Sequence, residues 1–250
     1  MRSGITIAFL ALAFALGAPQ STIAQQAEPV LQYVAEVHVK PGLAAQFEAA
    51  HHARNERLRR AGVTFAFTSS VSESGVYRFF TPVGDYEGLA RRQSEMAGVG
   101  APAPGASAND AIDHVDSYLR WMAPALGYVP ENPRLENGEW GVVRRVRLYV
   151  KQGMMGEVAD ALREMAALYQ SSGSAEQRIV TRLALSSDSP VMEVFLFGRD
   201  APDLYTHMAR NDAQLGDADD ELRARIGSMC RRIESENFTM RPDLNYQPPN

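Results

Sequence analysis

A chain of 250 residues with 25 basic and 30 acidic side chains carries a net charge of −5, which argues against the basic stripe that a nucleic-acid surface needs. Its one cysteine, Cys230, excludes an intrachain disulfide, and the apolar spacing of Leu222, Ile226 and Met229 before it suggests a small buried hydrophobe rather than a reactive thiol. Apolar residues make up 45% of the chain, enough to fill one large domain or two ordinary ones.

Residues 1–24 read as a secretory signal peptide. Arg2 is a short basic lead, Ile5 to Leu16 is apolar apart from Thr6, and Thr22-Ile23-Ala24 puts small residues before a cut after Ala24. The apolar run is too short to span a bilayer; a retained anchor is the alternative. Beyond it no segment is apolar enough to cross a membrane, so the expectation is an exported protein, periplasmic or extracellular.

After a polar lead at 25–29, residues 33–40 alternate as a half-buried strand, and Pro41-Gly42 ends it. Residues 43–60 have helical composition and stop at Gly62. Strands are predicted at 63–69 and 76–81 around a Ser- and Gly-rich turn at 70–75, then a helix at 86–96 and a Gly-, Ala- and Pro-rich loop at 97–107. Asn109-Asp110 is positioned to cap a short helix at 111–115, and 117–122 closes the series as a fourth strand. A polar linker covers 131–139. The order then returns: strand 142–151, helix 154–171, strands 178–185 and 192–197, helices 203–213 and 217–232, strand 233–240.

One motif marks the return. Met122, Pro124, Leu126, Tyr128 and Pro130 recur at identical spacing as Met240, Pro242, Leu244, Tyr246 and Pro248. Self-similarity of this kind signals a duplicated module. Each proline ends its strand, and the Leu and Tyr after it are suited to anchor the exiting tail on the barrel. The predicted class is α+β, as two tandem ferredoxin-like (βαββαβ) halves at 30–130 and 140–250. Each antiparallel sheet would carry helices on one face and leave the other bare, so the two bare faces can meet.

The strand ending in a Gly turn, the long helix, the hairpin with its aromatic third strand and the fourth strand together resemble the dimeric α+β barrel superfamily. Antibiotic-biosynthesis-monooxygenase-like and NIPSNAP-like domains belong to it. The resemblance covers nearly all of the chain after residue 24 and implies an intramolecular dimeric α+β barrel. Its members include cofactor-free monooxygenases, haem-degrading and haem-peroxidase enzymes and small-ligand binders, so the fold leaves the activity open.

Alternation places candidate site residues. Glu36, His38 and Lys40 lie on the side of the first strand away from the helices. At an offset of 111 the second half carries Arg147, Tyr149 and Lys151. Glu36 and Arg147 are thus equivalent positions of opposite charge, able to pair with each other or to address a ligand. The last strands add Tyr118 and Arg120 from the first half, Glu236 and Phe238 from the second. His51 and Arg54 interrupt the helix stripe that Val158, Leu162, Met165 and Tyr169 complete in the second copy. They form either a functional pair or a rotated packing stripe, with Arg54 lying flat over apolar surface.

No cofactor and no metal is expected. Adjacent His51 and His52 diverge on a helix, and Glu36 and His38 are two ligands without a third. A haem would need an axial ligand such as His114 or His207. Neither a Gly-x-Ser-x-Gly elbow nor a phosphate loop is present. The leading expectation is a small apolar or aromatic ligand held between the sheets. A cofactor-free or haem-linked monooxygenase and a structural domain with a filled barrel are the alternatives. A cavity of a few hundred cubic ångströms lined by both halves would separate the first two from the third.

Overall fold

The computed structural model describes residues 29–100, 108–136, 138–185 and 188–249. The predicted signal peptide and the 101–107 part of the predicted loop lie outside the described residues. Within them no helix is long and apolar enough to cross a membrane.

Among the described residues the order is β1 (Leu31–Val39), α1 (Ala44–Arg60), β2 (Thr68–Ser72), β3 (Val76–Gly84), α2 (Tyr86–Gly98), β4 (Ile112–Met122), then β5 (Val142–Val150), α3 (Met155–Ser171), β6 (Ile179–Leu185), β7 (Val191–Gly198), α4 (Ala201–Leu215), α5 (Asp217–Met229) and β8 (Cys230–Met240). The eight strands are antiparallel and close a barrel in the order β1-β3-β2-β8-β5-β7-β6-β4, with β4 returning to β1. The first four strands run β4-β1-β3-β2 and the last four β8-β5-β7-β6, the same arrangement twice. Pairing of β2 with β8 and of β4 with β6 joins the halves.

Local chemistry explains these elements. Gly62 and Gly173 both follow a long helix with φ of +67° and +66°, the left-handed turn a glycine adopts without strain. Asp85 Oδ1 accepts from Gly88 N and Asp200 Oδ1 from Asp203 N, both at 2.8 Å, capping α2 and α4. The outer face of the second half is apolar. Val158, Leu162, Met165 and Tyr169 of α3 pack on Leu148, Val150, Val180, Met192 and Val194. At about 1.5–3 kcal/mol for each large apolar side chain fully buried, this layer is a principal source of stability. In the first half Phe47 and Leu58 of α1 play that part against Val37, Tyr77 and Phe79.

Several predicted boundaries move. The segment expected to be helical at 111–115 is the start of β4. A three-residue turn, Ala108–Asp110, precedes it, and His38 and Val37 pair with His114 and Val115 across the sheet. The second strand lies at 68–72 rather than 63–69. Serines that resemble a turn by composition are buried there, and Ser69 Oγ donates to Arg241 O at 2.6 Å. β8 begins at Cys230, so α5 ends before 232. Within the predicted linker, Leu135 is buried and Arg134 is tied to Glu176 and Asp203 at 2.7 and 2.8 Å.

The repeated motif does more than end its strands. Each tail crosses to the opposite half. Tyr128 pairs with Arg178, and its hydroxyl donates to Ser174 O at 2.8 Å. Tyr246 pairs with Phe67, and its hydroxyl donates to Val63 O at 2.9 Å. Gly127 is required there, because a Cβ would come within 2.6 Å of Arg178 O.

Candidate functional site

Side chains of alternating strand positions fill the barrel in three levels. The middle level is ionic. Glu36 from β1, Arg78 from β3, Tyr118 and Arg120 from β4, Arg145 and Arg147 from β5 and Glu193 from β7 converge there.

Glu193 is 0% exposed, so its charge depends on partners within the barrel. Its Oε2 accepts from Arg120 Nη1 at 2.9 Å and Thr181 Oγ1 at 3.2 Å; its Oε1 accepts from Arg147 Nη2 at 2.9 Å. Glu36 Oε1 accepts from Arg145 Nη1 at 2.7 Å and from the Tyr118 hydroxyl at 3.0 Å. Arg78 Nε lies 2.8 Å from the same oxygen as an ion pair, at an angle outside that of a hydrogen bond. Arg147 Nη2 is 3.5 Å from Glu36, so the equivalent positions Glu36 and Arg147 meet.

Burial alone would raise the Glu36 carboxyl, but Arg78, Arg145 and Arg147 overcome it and hold the pKa at about 2. Burial also opposes ionisation of Glu193, and Arg120, Arg78, Arg147 and Arg145 hold its carboxyl far below the usual range. Burial, more than any neighbour, raises the Tyr118 hydroxyl, which stays protonated as a bridge.

One mouth of the barrel, beyond this network, is aromatic. A cavity of about 140 Å³ is lined from both halves by Phe80, Phe195, Phe197, Phe238 and Trp140, with Ser70, Arg78 and Arg120 among its polar members. It is smaller than the few hundred cubic ångströms expected, because the arginines fill the middle of the barrel. Arg78 stacks on Phe238 and Phe80 at 4.6 and 4.9 Å from the ring centres; Arg120 stacks on Phe80 and Phe195 at 4.8 Å. Ser70 Oγ and Trp140 Nε1 are buried without a hydrogen-bond partner.

The other mouth holds His38 beside His114 and Asp116 in the first half, and Tyr149 beside Arg232 and Glu234 in the second.

Of the sequence candidates, Glu36, Tyr118, Arg120 and Arg147 thus join one network. Glu236, a third exposed, sits at its edge on Arg145 Nη2 at 2.8 Å. His38 and Tyr149 belong to the far mouth, away from the cavity. His51 and Arg54 are outside the barrel altogether, because α1 packs on the outer face of the sheet. His51 is buried, stacks on Phe79 with ring centres 4.5 Å apart, and bonds through Nε2 to Leu244 O at 3.0 Å. Its pKa is lowered to about 4, chiefly by burial and then by Arg54. Arg54 lies 5.5 Å from the Phe67 ring centre, the flat packing alternative.

Arg78, Arg145 and Glu193 were not among the sequence candidates. Glu193 had a signal: it is the one charge in Val191-Met-Glu-Val-Phe-Leu-Phe197, and a lone carboxylate in such a run needs a buried partner.

The haem that the resemblance implies for some members does not fit the described residues. The aromatic cavity is far smaller than a porphyrin. Of the two axial candidates, His207 has Glu176 3.1 Å from Nδ1 and Asp203 3.7 Å from Nε2, so carboxylates face both of its ring nitrogens, and His114 lies at the opposite mouth, away from this cavity.

No family model and no curated protein matches the chain. Solved structures do. An anthrone oxidase-like protein superposes with a TM-score of 0.62 at 11% identity, covering 88% of this chain and 94% of its own. A Lactobacillus acidophilus protein provisionally classed as a monooxygenase gives 0.54 at 7%, covering 88% and 97%. A chlorite dismutase variant from Candidatus Nitrospira defluvii, in complex with cyanide, gives 0.54 at 10%, covering 88% and 94%. These neighbours are members of the dimeric α+β barrel superfamily, and this chain shares their fold.

Proposed function

We propose that this protein binds a small aromatic ligand carrying hydrogen-bond acceptors, a carboxylate or a ring carbonyl, at the aromatic mouth of its barrel. The observation that carries this reading is an aromatic cavity whose lining includes two buried donors without partners, Ser70 Oγ and Trp140 Nε1. A buried donor left unmet costs about 1–3 kcal/mol, and a bound acceptor would recover it. A cavity of about 150 Å³ accommodates benzene, so the volume here suits one ring. Arg78 and Arg120 at its floor favour an anion over a neutral ring.

The frame of this site, in our reading, is a tandem duplication of a ferredoxin-like unit, with halves at 30–130 and 140–250 joined by 131–139. One chain then supplies both sides of a barrel that two copies could otherwise form. Export through a signal peptide at 1–24 belongs to the same reading.

A second reading is favoured by the neighbours classed as monooxygenase and anthrone oxidase-like: a monooxygenase-like enzyme acting on such a ring. The cavity would then contribute by fixing the substrate and excluding water.

Titration with benzoate, hydroxybenzoates and benzoquinone, followed by tryptophan fluorescence, tests the binding reading. Ser70→Ala is expected to weaken the best ligand about five- to tenfold, the worth of one net hydrogen bond. Ile179→Phe, which fills the cavity, is expected to abolish binding. If no ring compound binds, or if both variants bind like the wild type, the site is wrongly placed. Oxygen uptake in the presence of the bound ring separates the enzyme from the binder.

A further inference from the structure

The mouth opposite the aromatic cavity is finished differently in the two halves. In the second half Arg232 sits 3.8 Å above the centre of the Tyr149 ring, its Nε is 3.2 Å from Glu234 Oε1, and the Tyr149 hydroxyl donates to Glu234 Oε2 at 2.8 Å. Cation, ring and carboxylate satisfy one another. The same register in the first half brings His38 opposite His114, with Asp116 two residues along. An imidazole stands where the second half has its guanidinium, so this trio has lost its built-in cation.

The three side chains nevertheless converge. The imidazoles stack 3.9 Å apart at 15°. His38 Nε2 is 3.5 Å and His114 Nε2 is 3.7 Å from the same Asp116 Oδ2. Those separations are too long for good hydrogen bonds. They approach the spacing of ligands around a shared ion: two atoms about 2.1 Å from a tetrahedral zinc lie about 3.4 Å apart. His114 Nδ1 is 2.8 Å from Asp113 Oδ2. An ionised carboxylate only accepts, so Nδ1 carries the proton and a neutral ring turns its Nε2 lone pair to the cluster. A carboxylate behind a ligating histidine is how metal sites fix the tautomer. Lys40, the next residue on this face of the chain, is turned to Asp110 O at 2.9 Å and does not supply the missing charge.

We propose that His38 Nε2, His114 Nε2 and a carboxylate oxygen of Asp116 bind a divalent transition metal of the zinc class. With Asp116 65% and His114 52% exposed, the remaining coordination positions face solvent.

Calorimetric titration of the untagged protein with zinc alone, in a buffer that does not chelate it, tests this. The expected result is one zinc per chain at micromolar affinity or tighter. Asp113→Asn is expected to weaken it about tenfold, and His38→Ala or His114→Ala by more. His207→Ala, whose ring already faces Glu176 and Asp203, is expected to leave it unchanged. The pair His38→Tyr with His114→Arg installs the ring and the cation of the second half's trio beside Asp116. It is expected to keep the fold and lose the metal, which answers the question even if an alanine variant does not fold. Absence of saturable zinc uptake by the wild type, or uptake that survives the Tyr/Arg pair, overturns the proposal.

Discussion

At the scale of single residues, His51 shows how one polar atom can sit in a core without serving a site. The equivalent residue of the second half is Leu162. His51 is 3% exposed, and Leu244 O also accepts from Asn55 Nδ2 at 3.2 Å, so that carbonyl keeps a partner if the imidazole is removed. The cost of His51 appears as a pH dependence. Its folded pKa of about 4 lies below the ordinary histidine value of 6.5, so between these the unfolded chain binds a proton that the native protein refuses. Stability is therefore complete above pH 6.5 and falls as the pH drops towards 4, by roughly 3 kcal/mol at most. His51→Leu, which installs the side chain of the other copy, is expected to flatten this part of the profile. Urea unfolding at pH 7, 5.5 and 4.5 would show it; an unchanged slope would place the acid sensitivity elsewhere.

At the scale of elements, the crossed tails couple the halves. The turn at Pro242–Leu244 and Tyr246 pack on the first half, where Arg241 Nη1 also donates to Glu48 Oε1 at 2.5 Å. Removing everything after Met240 is thus expected to loosen α1 and β2, nearly two hundred residues away in sequence, before it loosens α3. Hydrogen exchange reads this directly, and loss of protection confined to the second half would contradict it. Tyr246→Phe alone is expected to cost about 1 kcal/mol, the bond to Val63 O. The recurrence of Met, Pro, Leu and Tyr in one spacing was legible in the sequence. The destination of the tails was not, because crossing depends on long-range pairing of Phe67 with Tyr246. The same limit explains β4. Exposed polar residues such as Asp113 and His114 make 111–115 look unlike a strand, because this end of β4 lies at the open mouth of the barrel rather than in its core. His38 and His114, 76 positions apart, become neighbours only through the β1–β4 ladder. Alternation did place Glu36 and Arg147 on one side, because that periodicity is local.

At the scale of the whole molecule, the barrel is held open by charge rather than filled by aliphatic side chains. Four arginines, Arg78, Arg120, Arg145 and Arg147, surround the buried carboxylate of Glu193 and the largely enclosed one of Glu36, and Glu236 neutralises part of the remainder from the edge. A buried network of this kind is weak evidence for net stability, since desolvating its members offsets much of their attraction. Removing one partner is different, because it strands the others. Glu193→Gln keeps the shape but leaves Arg120 without its carboxylate at 2.9 Å, and is expected to cost about 3–5 kcal/mol at pH 7. The acid limb follows from the same carboxylates. Below the ordinary glutamate value of 4.5 the unfolded chain takes up a proton at Glu36 that the native barrel refuses until about pH 2, so the stability this group supplies is lost across that window. Glu193, held lower still, adds to the loss. Glu193→Gln should therefore be less stable at neutral pH yet lose less between pH 4.5 and 2 than the wild type. Chemical denaturation at both ends of that range measures the two effects together. If the variant matched the wild type at pH 7, the arginines would be tolerated without this carboxylate, and the ionic level would be solvated rather than sealed.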